Sequence, residues 1–294
     1  MTNTPFELTV PVHGAKLHVV GHPVADPRGG VVIAPGFAEH AGRYVRLMTD
    51  LAARGYASFL VEPRGHGAST GPRGHTPSWQ ALQDDFTAAV DALDAERRLP
   101  ARRALLAASM GGLVAAEWIP AHPGRFHGLV LVAPFLAPAK PLPPLKVLLA
   151  NAVSGLLPRL AQSHGLKGRE MSHDATVVAA YDADPYLVRV MSAKYFTGMR
   201  AAQARVRAAI AAGPSGPGAI ADAPVLLLQG AADPVASAAA AQSFLKLAPA
   251  PGSEARVYPG MFHEPLNELD RNRVLGDLAR WLDRNILGTN RIGA

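Results

Sequence analysis

The stretch Ala107-Ala108-Ser109-Met110-Gly111-Gly112 decides the fold of this chain of 294 residues. The apolar run Arg103 to Leu106 comes directly before it and indicates a buried strand. A serine on a sharp bend between a strand and a helix needs small residues two before and two after it, because larger side chains would collide. Here those residues are Ala107 and Gly111. The stretch is typical either of a tight helix start with a structural role only or of a serine nucleophile raised out of the backbone.

Short apolar runs separated by stretches of helical periodicity continue on both sides of this bend. The predicted strands are Phe6 to Val10, Leu17 to Gly21, Gly30 to Ala34, Ala57 to Glu62, Ala104 to Ala108, Gly128 to Val132, Pro224 to Gln229 and Ala255 to Tyr258. The predicted helices are Gly42 to Arg54, Trp79 to Arg98, Met110 to Ile119, Ala236 to Leu247 and Glu268 to Leu287. This alternation predicts an α/β fold with a mostly parallel eight-stranded sheet flanked by helices, whose first two strands pair antiparallel at one edge.

The regular alternation breaks between about residues 134 and 197. Prolines recur from Pro134 to Pro144, which favours a rigid, non-helical beginning. Apolar residues then follow at the spacing of an amphipathic helix: Leu145, Leu148, Leu149, Val153, Leu156, Leu157 and Leu160. Such a stripe indicates either an ordinary buried helix or an inserted lid whose apolar face looks toward a greasy substrate. The glycines and prolines of residues 213–218 mark the return to the main sheet.

Composition excludes several classes of protein. Hydrophobic residues make up 49% and charged residues 18%, so the chain can bury a core and is not disordered. The net charge of +6 is scattered, without the basic and aromatic pattern of a nucleic-acid binder, although it allows attraction to anionic lipid. The chain has no cysteine, which excludes disulfides and thiolate metal sites. Its start lacks a secretory signal and no apolar run reaches about 18 residues, so a cytoplasmic protein without a membrane-spanning helix is expected.

A serine hydroxyl becomes a useful nucleophile only beside a base, with a carboxylate to orient that base and donors for the developing oxyanion. The helix predicted after the serine would point its N–H groups at the site, which makes the backbone N–H of Met110 an oxyanion donor. Asp233 and His263 each follow a predicted strand, where parallel sheets gather their ligands. Taken singly, the aspartate is typical of a turn and the histidine of a solvated loop. Their order along the chain, serine then acid then base, favours a catalytic triad.

Four segments together resemble α/β-hydrolases of the monoacylglycerol lipase and lysophospholipase group. Pro35 to Tyr44 is similar to the pattern H-G-x-G-E-H-x-x-R-Y, and Glu62 to Ser69 to D-x-R-G-H-G-x-S. The segment around Ser109 is similar to G-H-S-M-G-G, and Tyr258 to Glu264 to the segment that carries the catalytic histidine. The chain departs from these patterns at five positions: Pro35, Ala38, Glu62, Ala107 and Ala108.

The resemblance implies a role for each matching residue. Ser109 would be the nucleophile, His263 the base and Asp233 its orienting acid, while the backbone N–H of Phe37 would join that of Met110 in the oxyanion hole. Residues 1–135 and 199–294 would form the hydrolase core, and residues 136–198 a cap that binds the acyl chain and contacts membranes. The residues predicted to contact substrate there are Leu145, Leu148, Leu149 and Val153. Glu39 is expected to pair with an arginine.

The sequence therefore predicts a serine hydrolase that cleaves carboxylic esters of apolar acyl chains through an acyl-enzyme, with monoacylglycerol as the first substrate. No metal or organic cofactor is expected. No obligate protein partner is expected either, and the cap is a candidate for peripheral contact with a membrane. A broad carboxylesterase or a lysophospholipase is the alternative within enzymes. An alternative of another class is a non-catalytic lipid-binding relative that uses the same pocket.

Overall fold

The computed structural model describes residues 4–141 and 143–288 of the chain. Eight strands form one sheet: β1 (Phe6–Val12), β2 (Ala15–His22), β3 (Gly29–Ala34), β4 (Tyr56–Val61), β5 (Arg103–Ala108), β6 (Leu129–Val132), β9 (Val225–Gly230) and β10 (Glu254–Tyr258). Two further strands, β7 (Ala161–Ser163) and β8 (Val190–Ser192), pair separately as an antiparallel ribbon. The large sheet has the order β1-β2-β4-β3-β5-β6-β9-β10. β2 pairs antiparallel with both neighbours and all other pairs are parallel, so the predicted sheet is confirmed.

Eight α-helices accompany the strands within the described residues: α1 (Val45–Ala52), α2 (Trp79–Ala95), α3 (Ser109–Ala121), α4 (Pro144–Leu156), α5 (Ala175–Ala183), α6 (Ala193–Ala212), α7 (Ala238–Phe244) and α8 (Arg271–Asn285). Successive strand residues point to opposite faces, and neighbours in β3 therefore enter different cores. Val32 packs in one core with α2, α3, α6 and α7, whereas Val31 and Ile33 pack in the other with α1 and α8. Both faces of the sheet are covered, which is why β3, β4, β6 and β9 are buried along their whole length.

Register brings the ends of the central strands to one edge of the sheet. Ala34 of β3 pairs with Ala107 of β5, and Ala108 pairs with Val132 of β6. At the far side, Gly230 of β9 pairs with Tyr258 of β10. Loops that follow these strands therefore begin at the same rim, where parallel sheets bind their ligands.

The inserted segment holds more structure than the sequence predicted. It contains α4, the ribbon of β7 and β8, α5 and the beginning of α6. The ribbon was missed because each strand has only three residues. α6 was missed because its many alanines hide the apolar face; Tyr195, Met199 and Val206 are buried at helical spacing and carried the signal. α6 continues through residue 198, where we placed the end of the cap, and the division into core and cap stays a proposal.

α4 lies at the surface rather than in a core. Leu145, Leu148 and Leu149 are each more than half exposed, so the interpretation of this stripe as an ordinary buried helix is wrong. The hydroxyls of Ser154 and Thr197 share a hydrogen bond of 2.9 Å that ties α4 to α6. None of the helices among the described residues is both long and apolar enough to span a bilayer.

Candidate active site

The bend at Ser109 has the strained geometry that the sequence predicts. Ser109 is the first residue of α3 and has φ +47°, a left-handed conformation that a side chain rarely adopts. A side chain at Gly111 would collide with the carbonyl oxygens of Ala34 and Pro35. The helix can therefore begin directly against the end of β3 only because this position is glycine. Holding a non-glycine residue in this region requires about 1–3 kcal/mol from the surrounding structure.

The three predicted triad residues come together at the rim of the sheet. His263 Nε2 lies 2.9 Å from Ser109 Oγ, and His263 Nδ1 lies 2.9 Å from Asp233 Oδ2. The histidine and the aspartate are buried, while the serine is partly exposed. These contacts form one continuous chain of hydrogen bonds from carboxylate to hydroxyl.

The Asp233 carboxylate stabilises the turn that follows β9 and also contacts His263. Its Oδ1 accepts hydrogen bonds from the backbone N–H groups of Val235 (2.8 Å) and Ala236 (2.9 Å). Its Oδ2 is left for His263. The carboxylate therefore cannot rotate freely, and the oxygen facing the imidazole is fixed by the turn.

Gln229 is a buried residue that sequence analysis missed. Its side-chain N–H₂ group donates to Asp233 Oδ2 (3.0 Å) and to the carbonyl of Gly230 (3.0 Å). Both partners are acceptors, so the amide nitrogen must face them, and the buried amide oxygen Oε1 has no partner among the described residues. Gln229 thus supplies a second donor to the oxygen that contacts His263. Its position one residue before the turn was the available signal.

The loops carrying the acid and the base are in direct contact. A side chain at Gly230 would collide with the backbone oxygens of Met261 and Phe262. The N–H of Ala232 donates to the carbonyl of Met261 at 3.1 Å. Glycine at this position therefore allows the approach that places Asp233 beside His263.

The surroundings of the proposed triad raise the pKa of His263 and lower the pKa of Asp233. Burial alone would lower the pKa of His263, but the hydrogen bond and charge of Asp233, with the charges of Glu264 and Glu39, raise it above its ordinary value. Burial alone would raise the pKa of Asp233, but the hydrogen bond and charge of His263 and two backbone donors bring it below its ordinary value. The carboxylate is thus held ionised beside a more basic imidazole.

Phe37 and Met110, the predicted oxyanion donors, line the same cavity as Ser109. Both line the cavity in front of the serine, and among the described residues neither backbone N–H has a partner. The side chain of Tyr195 contacts both: its ring packs at 5.0 Å and 72° against that of Phe37, and its hydroxyl donates to Met110 Sδ at 3.2 Å. Sequence analysis missed Tyr195 because α6 was not predicted.

A buried charge network lies beside the histidine. Arg43 binds Glu39 (3.2 Å), which confirms the expected ion pair, and donates to both oxygens of Glu264 (2.6 and 2.8 Å). Glu39 Oε2 also accepts from the Tyr44 hydroxyl (2.6 Å) and the Gly36 N–H (2.7 Å). The network fixes the loop after β3 to the loop after β10. Burial raises the pKa of Glu264, and the charge of Arg43 opposes that rise.

The site opens into a cavity of about 630 Å³ whose walls are mostly apolar. A cavity of this size suits an organic ligand held mainly by apolar contact. Three of the four predicted substrate contacts line it: Leu145, Leu149 and Val153. Leu148 does not line it and is 65% exposed, which corrects that prediction. At 3.6 residues per turn, Leu148 points about 100° away from the centre of the other three.

The described parts of the chain hold no group of three or more histidine, aspartate or glutamate side chains arranged as metal ligands. The histidines near the site have other partners. His66 Nδ1 donates to the carbonyl of Arg64 (2.9 Å), and burial lowers the pKa of this histidine to about 4. The expectation of a reaction without cofactor stays a prediction.

Comparison with known proteins identifies the family. The family described as serine aminopeptidase, S33, matches residues 25–270. A monoacylglycerol lipase of Mycolicibacterium smegmatis is 33% identical over an alignment of 263 residues, which covers 88% of this chain and 90% of that protein. The monoglyceride lipase of Homo sapiens is 28% identical over 267 residues, covering 89% of this chain and 84% of that one. The crystal structure of the monoacylglycerol lipase of Paleococcus ferrophilus matches with a TM-score of 0.76 at 26% identity, covering 90% of this chain and 98% of that one.

The strand order, the bend at the serine and these matches define the chain as an α/β-hydrolase. It belongs to the serine aminopeptidase S33 family, and the resemblance to the monoacylglycerol lipase and lysophospholipase group is confirmed. The chain is an enzyme, a carboxylic ester hydrolase.

Proposed function

We propose that the chain hydrolyses esters of apolar acyl chains, monoacylglycerols first among them, through a triad of Ser109, His263 and Asp233. The observation that carries this proposal is the unbroken chain of hydrogen bonds from Asp233 through His263 to Ser109, which ends at the wall of an apolar cavity. Relatives named monoacylglycerol lipase and monoglyceride lipase support the substrate class.

Ester hydrolysis would take two steps at this site. Ser109 Oγ attacks the ester carbonyl while His263 Nε2 accepts its proton, and the backbone N–H groups of Phe37 and Met110 donate to the oxyanion. The tetrahedral intermediate then expels the alcohol, which takes the proton from His263, and an acyl-serine remains. Water, deprotonated by His263, attacks this ester, and the second tetrahedral intermediate releases the fatty acid as His263 returns the proton to Ser109 Oγ. Asp233 holds the imidazole in the required tautomer and stabilises its charged form.

A fluorophosphonate probe tests the nucleophile directly. The purified protein should be labelled at Ser109, because the probe reacts only with a serine that an adjacent base activates. Ser109→Ala should keep the fold, lose labelling and lose ester hydrolysis by several orders of magnitude. An intact wild-type protein that resists the probe and hydrolyses no ester would instead support the non-catalytic lipid-binding alternative.

A chain-length series separates the lipase from the broad carboxylesterase. Nitrophenyl esters from acetate to palmitate, measured beside a monoacylglycerol, should give the highest kcat/KM for long chains, because the cavity walls are apolar. A maximum at acetate would assign the chain to the short-chain carboxylesterases.

The cap assignment and peripheral contact with a membrane complete the proposal. The exposed leucines Leu148, Leu156 and Leu157 present an apolar surface on and just after α4. We propose that residues 136–198 act as a cap and that this surface touches lipid in a protein that otherwise resides in the cytoplasm. Sedimentation with neutral and anionic vesicles tests the contact: Leu156→Asp should lower the bound fraction, and unchanged binding would remove the surface from consideration.

A further inference from the structure

Two arginines line the active-site cavity, and they differ in their partners. The guanidinium of Arg43 forms ion pairs with the carboxylates of both Glu39 and Glu264. Arg200, on α6, forms no ion pair with any carboxylate of the described residues. A guanidinium is always charged and is expensive to hold in an apolar wall without a counter-ion. Arg200 is therefore the one cation of this wall, among the described residues, whose charge is not balanced.

Among the described residues, the hydrogen bonds of Arg200 leave one edge of its guanidinium without a protein acceptor. Its Nη1 donates to Gln203 Oε1 at 2.8 Å, whereas its Nε is buried and has no partner in the part of the chain that the structure describes. The amide nitrogen of Gln203 donates to the carbonyl of Phe135 at 2.9 Å, which fixes the orientation of the amide. Gln203 itself is almost fully buried. It therefore holds the guanidinium by one end and leaves the edge formed by Nε and Nη2 without a protein acceptor.

The same edge binds carboxylates elsewhere in this molecule. Arg64 uses Nε (2.6 Å) and Nη2 (2.5 Å) to bind both oxygens of Asp85. Arg205, one and a half turns beyond Arg200 on α6, uses Nε (2.6 Å) and Nη2 (3.1 Å) to bind both oxygens of Glu117. These parallel pairs are the preferred arrangement of guanidinium with carboxylate or phosphate. Arg200 lines the cavity and has no protein carboxylate on the corresponding pair of donors among the described residues, although its Nε is covered in this structure and a small shift of the side chain would be needed to expose both.

Arg200 is connected to the reacting serine through a short series of contacts. Gln203 donates to the carbonyl of Phe135, and the N–H of Phe135 donates to the carbonyl of Ser109 at 2.8 Å. All four residues line the cavity. Arg200 therefore belongs to the same binding space as the nucleophile, and a single ligand could reach both.

We propose that Arg200, oriented by Gln203, forms an anion-binding subsite in the cavity and takes the carboxylate or phosphate of an acyl ester that carries one. The inference rests on the proposed ester hydrolysis and extends it to anionic substrates. The chemistry shared by the two groups is a pair of anionic oxygens spaced for a guanidinium fork. A carboxylate would enter at the end of the acyl chain, and a phosphate on the glycerol, as in a lysophospholipid.

Paired substrates test the subsite in two arms. The first compares the mono-nitrophenyl ester of adipic acid with nitrophenyl hexanoate, and the second compares a monoacylglycerol phosphate with the monoacylglycerol of the same chain. In each arm the measured quantity is kcat/KM for the anionic substrate divided by kcat/KM for the neutral one. Arg200→Gln should lower this ratio by about tenfold in the arm whose anion, carboxylate or phosphate, the subsite binds. Arg200→Lys should restore part of the ratio, because it returns the charge without the fork.

Arg207→Gln is the matched control, since Arg207 is an exposed arginine two turns further along the same helix. It should leave the ratio unchanged in both arms. A ratio that is the same in wild type and Arg200→Gln in both arms overturns the subsite, and so does an equal fall in Arg207→Gln. Loss of all ester hydrolysis and of fluorophosphonate labelling in the wild type would instead reject the proposed function, so the two failures are distinguishable.

Inhibition supplies a measurement that does not require turnover of an anion. Dodecyl phosphate should inhibit hydrolysis of nitrophenyl hexanoate by the wild type more strongly than dodecanol does. Arg200→Gln should raise the inhibition constant of the phosphate by about tenfold and leave that of dodecanol within twofold. Equal inhibition constants for the two compounds in the wild type would contradict an anion subsite at this wall.

Discussion

The groups that would react and the groups that would hold the acyl chain are fixed to very different degrees. Asp233 accepts four hydrogen bonds, and the buried His263 bridges it to Ser109. α4 supplies Leu145 and Leu149 to the cavity wall and is more than half exposed at both, and the one side-chain hydrogen bond between α4 and α6 among the described residues is that of Ser154. The groups proposed to react are therefore preorganised, whereas the part of the proposed acyl wall that α4 supplies has few contacts that would hold its shape.

The largest loss of activity is expected from a substitution of Asp233, which accepts the most hydrogen bonds of the proposed triad. Asp233→Asn keeps the shape of the side chain but offers His263 an amide, which favours the wrong tautomer of the imidazole. We expect kcat/KM to fall by about 10⁴-fold with a melting temperature close to that of wild type. Asp222→Asn, at an exposed aspartate outside the cavity, is the control and should keep full activity. A larger loss from the Asp222 variant would move the acid away from Asp233.

A smaller loss is expected from the residue that supports the acid. Gln229→Leu removes the amide donor to Asp233 Oδ2 and leaves the two backbone donors to Oδ1 in place. The carboxylate gains rotational freedom, and kcat/KM should fall by about tenfold with little change in KM. Steady-state kinetics on a neutral ester measure both values.

Gln83→Leu is a close control for that substitution. Gln83 is also buried, its amide oxygen also lacks a partner within residues 4–141 and 143–288, and its amide nitrogen donates to the carbonyl of Val114 instead of a triad residue. Both variants should lower the melting temperature by similar amounts, while only Gln229→Leu lowers kcat. Equal kinetic losses in the two variants would show that Gln229 acts through stability alone.

The acid limb of the pH profile reports the charges around the base. Hydrolysis needs neutral His263, so kcat/KM rises with pH through the pKa of this residue in the free enzyme. That pKa is raised, and the midpoint should therefore lie above the ordinary histidine value of about 6.5. The charge of Glu264 contributes to the rise, hence Glu264→Gln should move the midpoint to lower pH. Glu96→Gln, at the solvent-exposed end of α2, should not move it.

The same raised pKa contributes to stability with a definite sign. A histidine whose pKa is higher in the folded than in the unfolded state stabilises the fold below its unfolded pKa, and this contribution is lost as the pH rises through its folded pKa. The active, neutral form of His263 is thus present where this contribution has gone. Glu264→Gln should weaken the pH dependence of the melting temperature in that range, which a series of thermal melts can measure.

The sequence predicted the triad residues at the edge of the sheet more completely than the residues of the cavity walls. Ser109, Asp233 and His263 could be placed together because each follows a parallel strand, and the register of the sheet brings such ends to one edge. Arg200 could not be found, and the position of Gln229 before the turn was only a weak signal, since the significance of each residue depends on which neighbour its guanidinium or amide meets in space. The side chains of α4 were only partly predictable: helical spacing defined the stripe but not which part of it faces the cavity.

Two adjacent leucines of α4 test that last distinction with the smallest expected effect. Leu148 and Leu149 are 65% and 56% exposed, lie on the same helix and differ in that only Leu149 lines the cavity. Leu149→Ala should lower kcat/KM for a long-chain ester about fivefold, equivalent to about 1 kcal/mol of lost apolar contact with the acyl chain.

Leu148→Ala should stay within about twofold of wild type on the same ester in detergent solution, because its side chain leaves the cavity wall intact. Acetate esters should be insensitive to both substitutions, since a two-carbon acyl group needs no contact with α4. Equal effects of the two variants on the long-chain ester would mean that α4 turns when the chain binds. Leu148 would then also contact the bound acyl chain. The hydrogen bonds among Ser109, His263 and Asp233 would in that case be formed before substrate binds, whereas the contacts of α4 with the acyl chain would form on binding.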